Sequence, residues 1–179
     1  KDSKDRMNDY LIGLKTFHEV ADYITINISS PNTENLRNFH EESKLQELLK
    51  SISKEKNNLN SKVPIAVKIS PDIDENQIEL ISKILLENSI KAIIISNTSK
   101  TSRERLGDIQ RHQKGGLSGK PIEKKSNALI NKFYKLLKGK IKIIGVGGVD
   151  SGVAAYDKFL AGADFIQLYT GMVFKGPNI

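Results

Sequence analysis

Hydroxyl and amide side chains follow several apolar or β-branched runs of this 179-residue sequence. Ser30 and Thr33 come after the run at residues 23–28, and a hydroxyl can exchange a proton when burial or a neighbouring group assists it. Asn97 comes after the run at residues 92–95, and its amide group can donate and accept hydrogen bonds at the same time. These residue types suit proton transfer and the binding of a polar small molecule. Taken alone, they also suit a proline-containing turn and the capping of strand ends.

A lysine and a glycine pair stand in similar positions. Lys68 lies within the apolar run at residues 65–69, where an ammonium group is unfavourable unless it has a partner or reaches solvent from an edge strand. Gly147 and Gly148 follow another apolar run, and residues 150–152 open a helix after them. Glycines let backbone amides approach phosphate oxygens, and a helix N-terminus favours an anion. The pair therefore indicates a phosphate site, although an ordinary turn between strand and helix also explains it.

Five strands are predicted to position these groups, and segments of helical period alternate with them. The strands are predicted at residues 23–28, 65–69, 92–95, 141–146 and 165–168. Alternation of this kind predicts parallel pairing, either in a doubly wound open sheet or in a (β/α)8 barrel. A dinucleotide-binding open sheet would carry Gly-x-Gly-x-x-Gly after its first strand, and this sequence does not. Polar strand ends and late glycines favour the barrel, which five strands cannot close.

The connecting segments also carry predictions. Asp74 and Gln77 have the spacing of a capping box, which predicts the start of a helix. The helix predicted at residues 123–138 should bury Leu136 with its other apolar side chains. The polar stretch at residues 99–116 is too long for a simple connection, which favours a functional loop or lid.

The composition excludes several classes of protein. With 38% hydrophobic and 27% charged residues, the chain is typical of globular proteins. The absence of cysteine excludes a disulfide framework, a thiolate zinc site and a cysteine nucleophile. No apolar run is long enough to cross a bilayer, and no signal peptide is visible. The net charge of +7 comes from lysines spread along the chain, often beside glutamates, which favours solvated helix faces over a nucleic-acid surface.

The histidines and the first residue also carry predictions. His18, His40 and His112 have no metal-like spacing, and all three are predicted to lie at the surface or in loops, so no metal site is expected. The chain begins with Lys1 instead of methionine, and we expect it to be part of a longer protein.

The strand-end motifs, taken together and in this order, resemble those of the class 2 (quinone-dependent) dihydroorotate dehydrogenase family. The resemblance covers essentially the whole chain, and it implies a (β/α)8 barrel to which this chain contributes about strands 4–8. Residues 1–179 would then be the C-terminal part of a single FMN-binding domain, with the earlier strands and N-terminal membrane-associating helices upstream. The motifs lie at residues 27–33 with Leu36 and Arg37, and at residues 67–72, 96–98, 115–119, 144–148 and 167–171.

The resemblance also implies a function. The family oxidises dihydroorotate to orotate in de novo pyrimidine (UMP) biosynthesis, with hydride passing to FMN and electrons then to a quinone. The implied partners are dihydroorotate or orotate, a quinone, and a membrane surface reached through segments outside this chain, with no nucleic acid. The implied location is peripheral, on the cytoplasmic side of the inner cell membrane.

Site roles follow from the same resemblance. Ser30 matches the catalytic base, which is a cysteine in class 1, and Thr33 matches the hydroxyl that relays the proton towards water. Lys68 matches the cation that stabilises the reduced, anionic flavin. The implied flavin contacts are Asn27, Lys68, Ser96, Gly119, Gly147, Gly148, Tyr169 and Thr170, and the implied substrate contacts are Asn27, Asn32, Asn97 and Thr98.

Two other functions remain open at this point. One is a related FMN barrel oxidoreductase that acts on another pyrimidine-like ring. The other is a non-catalytic basic binding protein that keeps the barrel motifs as a scaffold. The full set of strand-end residues argues against the second alternative.

Overall fold

The computed structural model describes residues 5–33, 36–101, 103–104 and 106–179 of the chain. Helices and strands alternate along these residues. The strands are β1 (Ile24–Asn27), β2 (Ile65–Lys68), β3 (Ala92–Ile95), β4 (Lys142–Val146) and β5 (Phe165–Gln167). The helices are α1 (Arg6–Phe17), α2 (Glu42–Asn58), α3 (Glu75–Glu87), α4 (Glu123–Leu137), α5 (Gly152–Ala161) and α6 (Thr170–Lys175), with 3₁₀ turns at Leu36–His40, Ile109–His112 and Lys120–Ile122.

The five strands form one parallel sheet in the order of the chain, β1-β2-β3-β4-β5. All five strands therefore end at the same edge of the sheet, which is where the polar motifs begin. In the register of the sheet, Lys68 lies between Asn27 of β1 and Ile94 of β3. Because β2 is an interior strand, a Lys68 side chain that reaches solvent from an edge strand is excluded.

The main core lies between one face of the sheet and the helices. β-Branched residues supply the sheet side of this core, as their strand propensity predicts, and Val67, Ile93 and Ile143 are all buried there. Phe133 of α4 is completely buried against them. The opposite face of the sheet lines an apolar cavity of about 440 Å³, with Ile144 among its walls.

Most predicted elements are confirmed within one or two residues of their predicted ends. The capping box is present, since the Asp74 side chain accepts from the Gln77 N–H and the Gln77 side chain accepts from the Asp74 N–H. The burial of Leu136 was predicted wrongly, because its side chain is 40% exposed. One residue turns a helix by about 100°, so Leu136 points away from the buried Leu137.

The segment after β3 is closed at its base by two backbone hydrogen bonds. The Ser99 N–H donates to Leu117 O over 3.0 Å, and the Leu117 N–H donates to Ser99 O over 2.7 Å. The residues between them are polar and largely exposed where described. Their predicted role as a functional loop or lid stays a prediction.

Candidate active site

A cleft of about 360 Å³ lies at the edge of the sheet where the strands end. It draws on the ends of β2, β3, β4 and β5, and on the segment before α4. Nine of the residues predicted to bind flavin or substrate line it: Lys68, Ser96, Asn97, Thr98, Gly119, Gly147, Gly148, Tyr169 and Thr170. Residues more than 100 positions apart in the sequence therefore contribute to one cleft.

Lys68 is the cation of this cleft. Its side chain is half-buried, and within the described part of the chain its ammonium group has no hydrogen-bond or ion-pair partner. Burial lowers the pKa of Lys68 from its ordinary value, because a lone charge is poorly solvated there. An anionic or hydrogen-bond-accepting ligand in the cleft would supply the missing partner.

The turn after β4 can be built only with glycines. Gly147 and Gly148 have φ angles of 108° and 80°, which L side chains rarely adopt. A Cβ atom added to Gly148 would lie 2.4 Å from Cβ and 2.7 Å from Cα of Glu123. The N–H groups of Gly148 and Gly119 donate to no other described residue. These free amide donors fit a phosphate group.

The start of α6 forms the other wall of the cleft. Thr170 Oγ1 donates a hydrogen bond of 2.9 Å to Ser118 Oγ, which joins the end of β5 to the segment before α4. A Cβ atom on Gly119 would lie 3.1 Å from Cγ2 of Thr170, so the Gly119 backbone lies directly against the Thr170 side chain. Tyr169 is 80% exposed at the rim.

Amide side chains join the ends of β1 and β3. Asn97 Nδ2 donates to Ser29 Oγ over 3.0 Å, and Ser29 Oγ donates to Asn27 Oδ1 over 2.8 Å. Asn97 Oδ1 accepts from the Thr98 N–H over 2.8 Å. The two carboxamide oxygens thus cap the ends of their own strands. This capping role is the alternative to ligand binding that the sequence left open. The Nδ2 group of Asn27 has no acceptor among the described residues, which leaves it available to a ligand.

Ser30 receives two hydrogen bonds at its hydroxyl oxygen. Thr33 Oγ1 and the Asn32 N–H each donate to Ser30 Oγ over 3.3 Å. Both donors would stabilise negative charge on that oxygen, which makes the hydroxyl easier to deprotonate. Ser30, Asn32 and Thr33 do not line the cleft themselves, and Asn27 does not either. The segment that contains these residues is linked to the cleft through Ser29, whose Oγ accepts a hydrogen bond from Asn97 in the cleft wall.

Beneath the glycine turn lies a buried lysine that the sequence interpretation missed. Lys158 of α5 is fully buried and donates to Ser126 Oγ over 3.1 Å and to Asn127 Oδ1 over 2.9 Å. Ser126 Oγ in turn donates to Val146 O over 2.6 Å, and the Ser96 N–H donates to the same oxygen. Burial lowers the pKa of Lys158 to about 8, although the Glu123 charge opposes the shift. Helical period gave no reason to separate Lys158 from the exposed lysines.

His40 lies in a connecting segment, as predicted, but it is not at the surface. His40 is buried, and its Nε2 atom accepts a hydrogen bond of 3.3 Å from the Ser70 N–H, while Nδ1 lies 2.9 Å from Arg37 O. Nδ1 must therefore carry the proton that is donated to Arg37. Burial lowers the pKa of His40, which keeps the ring neutral. His40 thus fixes the 3₁₀ turn after β1 to the end of β2.

Neither a cluster of metal ligands nor a helix able to span a membrane is present in the part of the chain that the structure describes. Residues 5–33, 36–101, 103–104 and 106–179 contain no group of three or more His, Asp or Glu side chains placed to hold a metal ion. None of the helices within those ranges combines the length and the hydropathy that a membrane span requires.

Comparison with known proteins identifies the family. The family model described as dihydroorotate dehydrogenase matches residues 1–179. The chain belongs to the dihydroorotate dehydrogenase family. Curated relatives named dihydroorotate dehydrogenase (quinone) are 44% identical over 183 residues in a Chelativorans species and 46% identical over 180 residues in Mesorhizobium japonicum. Each match covers 100% of this chain and 50% of the relative, so the chain spans about half the length of the relatives it matches.

Solved structures of this dehydrogenase family agree with the observed fold. A crystal structure of the Eimeria tenella enzyme in complex with ferulenol matches with a TM-score of 0.94 at 30% identity, and covers 99% of this chain and 52% of that chain. The ligand-free Eimeria tenella structure matches with the same TM-score at 31% identity. The five-stranded sheet therefore corresponds to part of a (β/α)8 barrel, which confirms the barrel over the doubly wound sheet.

Proposed function

We propose that the protein containing this chain oxidises dihydroorotate to orotate in de novo pyrimidine biosynthesis, passing hydride to FMN and electrons onward to a quinone. The observation that carries the proposal is the cleft, in which an unpartnered Lys68 and free amide donors lie together at the ends of adjacent strands. Membership of the dihydroorotate dehydrogenase family supports the same reaction.

The residues of the cleft fit FMN. The amides of Gly119 and Gly148, with Gly147, Tyr169 and Thr170 around them, would hold the phosphate, since backbone donors at a glycine turn suit an anion. Lys68, Ser96 and Asn27 would contact the flavin ring. FMN, when bound, supplies the acceptor for the hydride.

The substrate side fits a planar ring with amide-like edges and a carboxylate. Asn27, Asn32, Asn97 and Thr98 offer both donors and acceptors, which such a ring requires. The hydrogen bonds of Asn97 to Ser29 and Thr98 hold its carboxamide group at a fixed angle. Fixed donors lower the entropy that the site loses when the substrate binds.

Ser30 would act as the base. Oxidation of dihydroorotate to orotate removes a proton and a hydride from adjacent carbons and forms a C=C bond. Ser30 Oγ would take the proton while its own hydroxyl proton leaves to Thr33, and bound FMN would supply the acceptor for the hydride. The hydrogen bonds from Thr33 and from the Asn32 N–H support the developing charge on Ser30. Hydroxyl groups can reverse their hydrogen bonds, so Thr33 can accept the hydroxyl proton of Ser30 as Ser30 takes the substrate proton, and pass its own proton towards solvent.

The remaining partners are proposed on the basis of the relatives. Two of them carry the word quinone in their names, which supports a quinone as the electron acceptor. We propose that this chain is the C-terminal part of a single barrel domain, and that upstream segments place the protein on the cytoplasmic side of the inner membrane.

The deciding experiment is reduction of the bound flavin in the full-length protein without oxygen. Dihydroorotate should bleach the visible absorbance of the flavin rapidly, and other dihydropyrimidines should not. Faster bleaching by another ring would favour the related oxidoreductase. A full-length protein that binds no flavin but binds nucleic acid in a salt-dependent manner would favour the binding protein.

A further inference from the structure

Arg37 joins three of the loops that follow the strands. Its guanidinium group donates from Nε to Ser29 O over 3.4 Å, from Nη2 to Thr98 O over 3.2 Å and from Nη1 to Asp72 Oδ2 over 3.1 Å. These acceptors follow β1, β3 and β2 respectively. Ser29 directly precedes Ser30, so Arg37 connects the proposed base to the loop with the substrate amides.

Asp72 is the anion on which this arrangement rests. Besides Arg37, its carboxylate accepts from Ser99 Oγ over 2.5 Å, from the Lys100 N–H over 2.7 Å and from Thr101 Oγ1 over 3.0 Å. The Lys125 ammonium of α4 also donates to it. Burial alone would raise the pKa of Asp72, but these hydrogen bonds outweigh it and hold the pKa well below its usual range.

None of these charged side chains lines the cleft. Arg37, Asp72 and Lys125 are absent from its walls, so they act through the residues they hold. Asn97 donates to Ser29 Oγ. Arg37 donates to the backbone oxygens of Ser29 and Thr98. The loops of β1 and β3 are thus joined to each other by two side chains, both of which contact Ser29, the residue before Ser30.

We propose that Arg37 and Asp72 are positioning residues that set the distance between Ser30 and the substrate amides, and so the rate of substrate oxidation. The inference rests on the proposed function, because it assigns a task within that reaction. A displacement of about 1 Å at reacting groups can slow a reaction about 100-fold. A charged pair with several fixed hydrogen bonds is suited to preventing such a displacement.

The test compares Arg37→Lys and Asp72→Asn with the wild type in the full-length flavin-containing protein. Two rates are measured in rapid-mixing experiments: flavin reduction by saturating dihydroorotate, and reoxidation of the reduced flavin by a water-soluble quinone. Flavin content is measured beside them. We expect reduction to slow by about ten- to 100-fold, with reoxidation and flavin content changed by less than about twofold.

Glu75→Gln is the matched control, since it also converts a carboxylate to an amide but removes only the exposed pair with Lys132. Two results would overturn the inference. Reduction rates within twofold of the control would show that the pair does not position Ser30. Equal losses of reduction, reoxidation and flavin content, or a failure of both variants to retain flavin, would show a general structural role. A wild-type protein that dihydroorotate does not reduce would instead contradict the proposed function.

Discussion

The two halves of the candidate site are built by different means. At the ends of β1, β2 and β3, side chains hold one another in a dense set of hydrogen bonds, as around Asp72. At the ends of β4 and β5, glycines let the backbone itself form the wall, as at Gly148. The first half should keep its shape when an atom outside the Arg37 and Asp72 pair, such as Ser30 Oγ, is removed. The second half should lose its shape when a single carbon is added.

The largest expected effect concerns the side-chain half. Ser30→Ala should leave flavin bound but slow flavin reduction by dihydroorotate by about 10²- to 10⁴-fold, which is the usual contribution of general base catalysis. Rapid-mixing measurement of flavin absorbance in the full-length protein checks this. Ser43→Ala, on the exposed start of α2, is the matched control. Reduction at the wild-type rate would remove Ser30 from its proposed role.

The next effect concerns the glycine half. Gly148→Ala places Cβ 2.4 Å from the Glu123 Cβ atom at a φ of 80°. Backbone strain of this kind amounts to about 1–3 kcal/mol, so FMN should bind roughly five- to 150-fold more weakly. Flavin titration of the apoprotein measures the change. Gly13→Ala in α1 is the control, since no atom lies within 4 Å of the added carbon, and its flavin affinity should not change.

A smaller effect is expected at the hydrogen bond beside the base. Thr33→Val keeps the shape of the side chain but removes the donor to Ser30 Oγ. Loss of one hydrogen bond to a developing charge should slow flavin reduction about tenfold and shift its pH profile to higher pH. Thr33→Ser keeps the hydroxyl and should restore most of the rate. Equal rates in Thr33→Val and the wild type would exclude the relay.

The last effect is on stability, beneath the glycine half. In the folded protein burial lowers the pKa of Lys158 to about 8, whereas its ordinary value is 10.5. Between these pH values the unfolded chain binds a proton that the folded chain does not. The free energy of unfolding should therefore rise with pH across this window, by at most about 1.4 kcal/mol per pH unit from this group.

Denaturant unfolding of the full-length protein at several pH values tests that slope. Lys158→Met removes the titrating group, so its free energy of unfolding should rise less steeply between pH 8 and 10.5 than that of the wild type. The comparison between the two proteins cancels the titration of other lysines and of tyrosines. Identical slopes would show that Lys158 keeps an ordinary pKa in the folded protein.

Much of the fold and of the cleft could be predicted because the relevant signals are local. β-Branched runs indicate strands, and the carboxyl ends of parallel strands meet at one edge, so polar strand ends such as Asn97 could be assigned together. The hydrogen bonds of Asp72 could not be predicted in this way. Its partners Arg37 and Lys125 lie 35 and 53 residues away, and no local pattern relates residues at such separations. By contrast, Asp74 and Gln77 are three residues apart, and their capping box could be predicted from that spacing.

The burial of His40 could not be predicted for a related reason. A histidine in the segment between a strand and a helix has no apolar period that would indicate burial, and its two partners are backbone groups that the sequence does not distinguish. Ser30 and Thr33, which are three residues apart in one turn, are joined by a hydrogen bond, and their roles in proton transfer stay a prediction. The part of the site that depends on distant side chains required the structure.

The agreement between strand order and chain order has a consequence for synthesis. Because the ribosome synthesises a chain from its N-terminus, the residues around Asp72 emerge before those of the glycine turn. The roughly 70 residues between Thr101 and Gly171 take about 4–14 s at about 5–20 residues per second. During that interval the side-chain half can form its hydrogen bonds while the glycine half is still incomplete. If the glycine half holds a cofactor phosphate, as proposed, that cofactor can bind there only after β5 has emerged, so its cellular supply matters at a later stage of translation than the one at which the residues around Asp72 emerge.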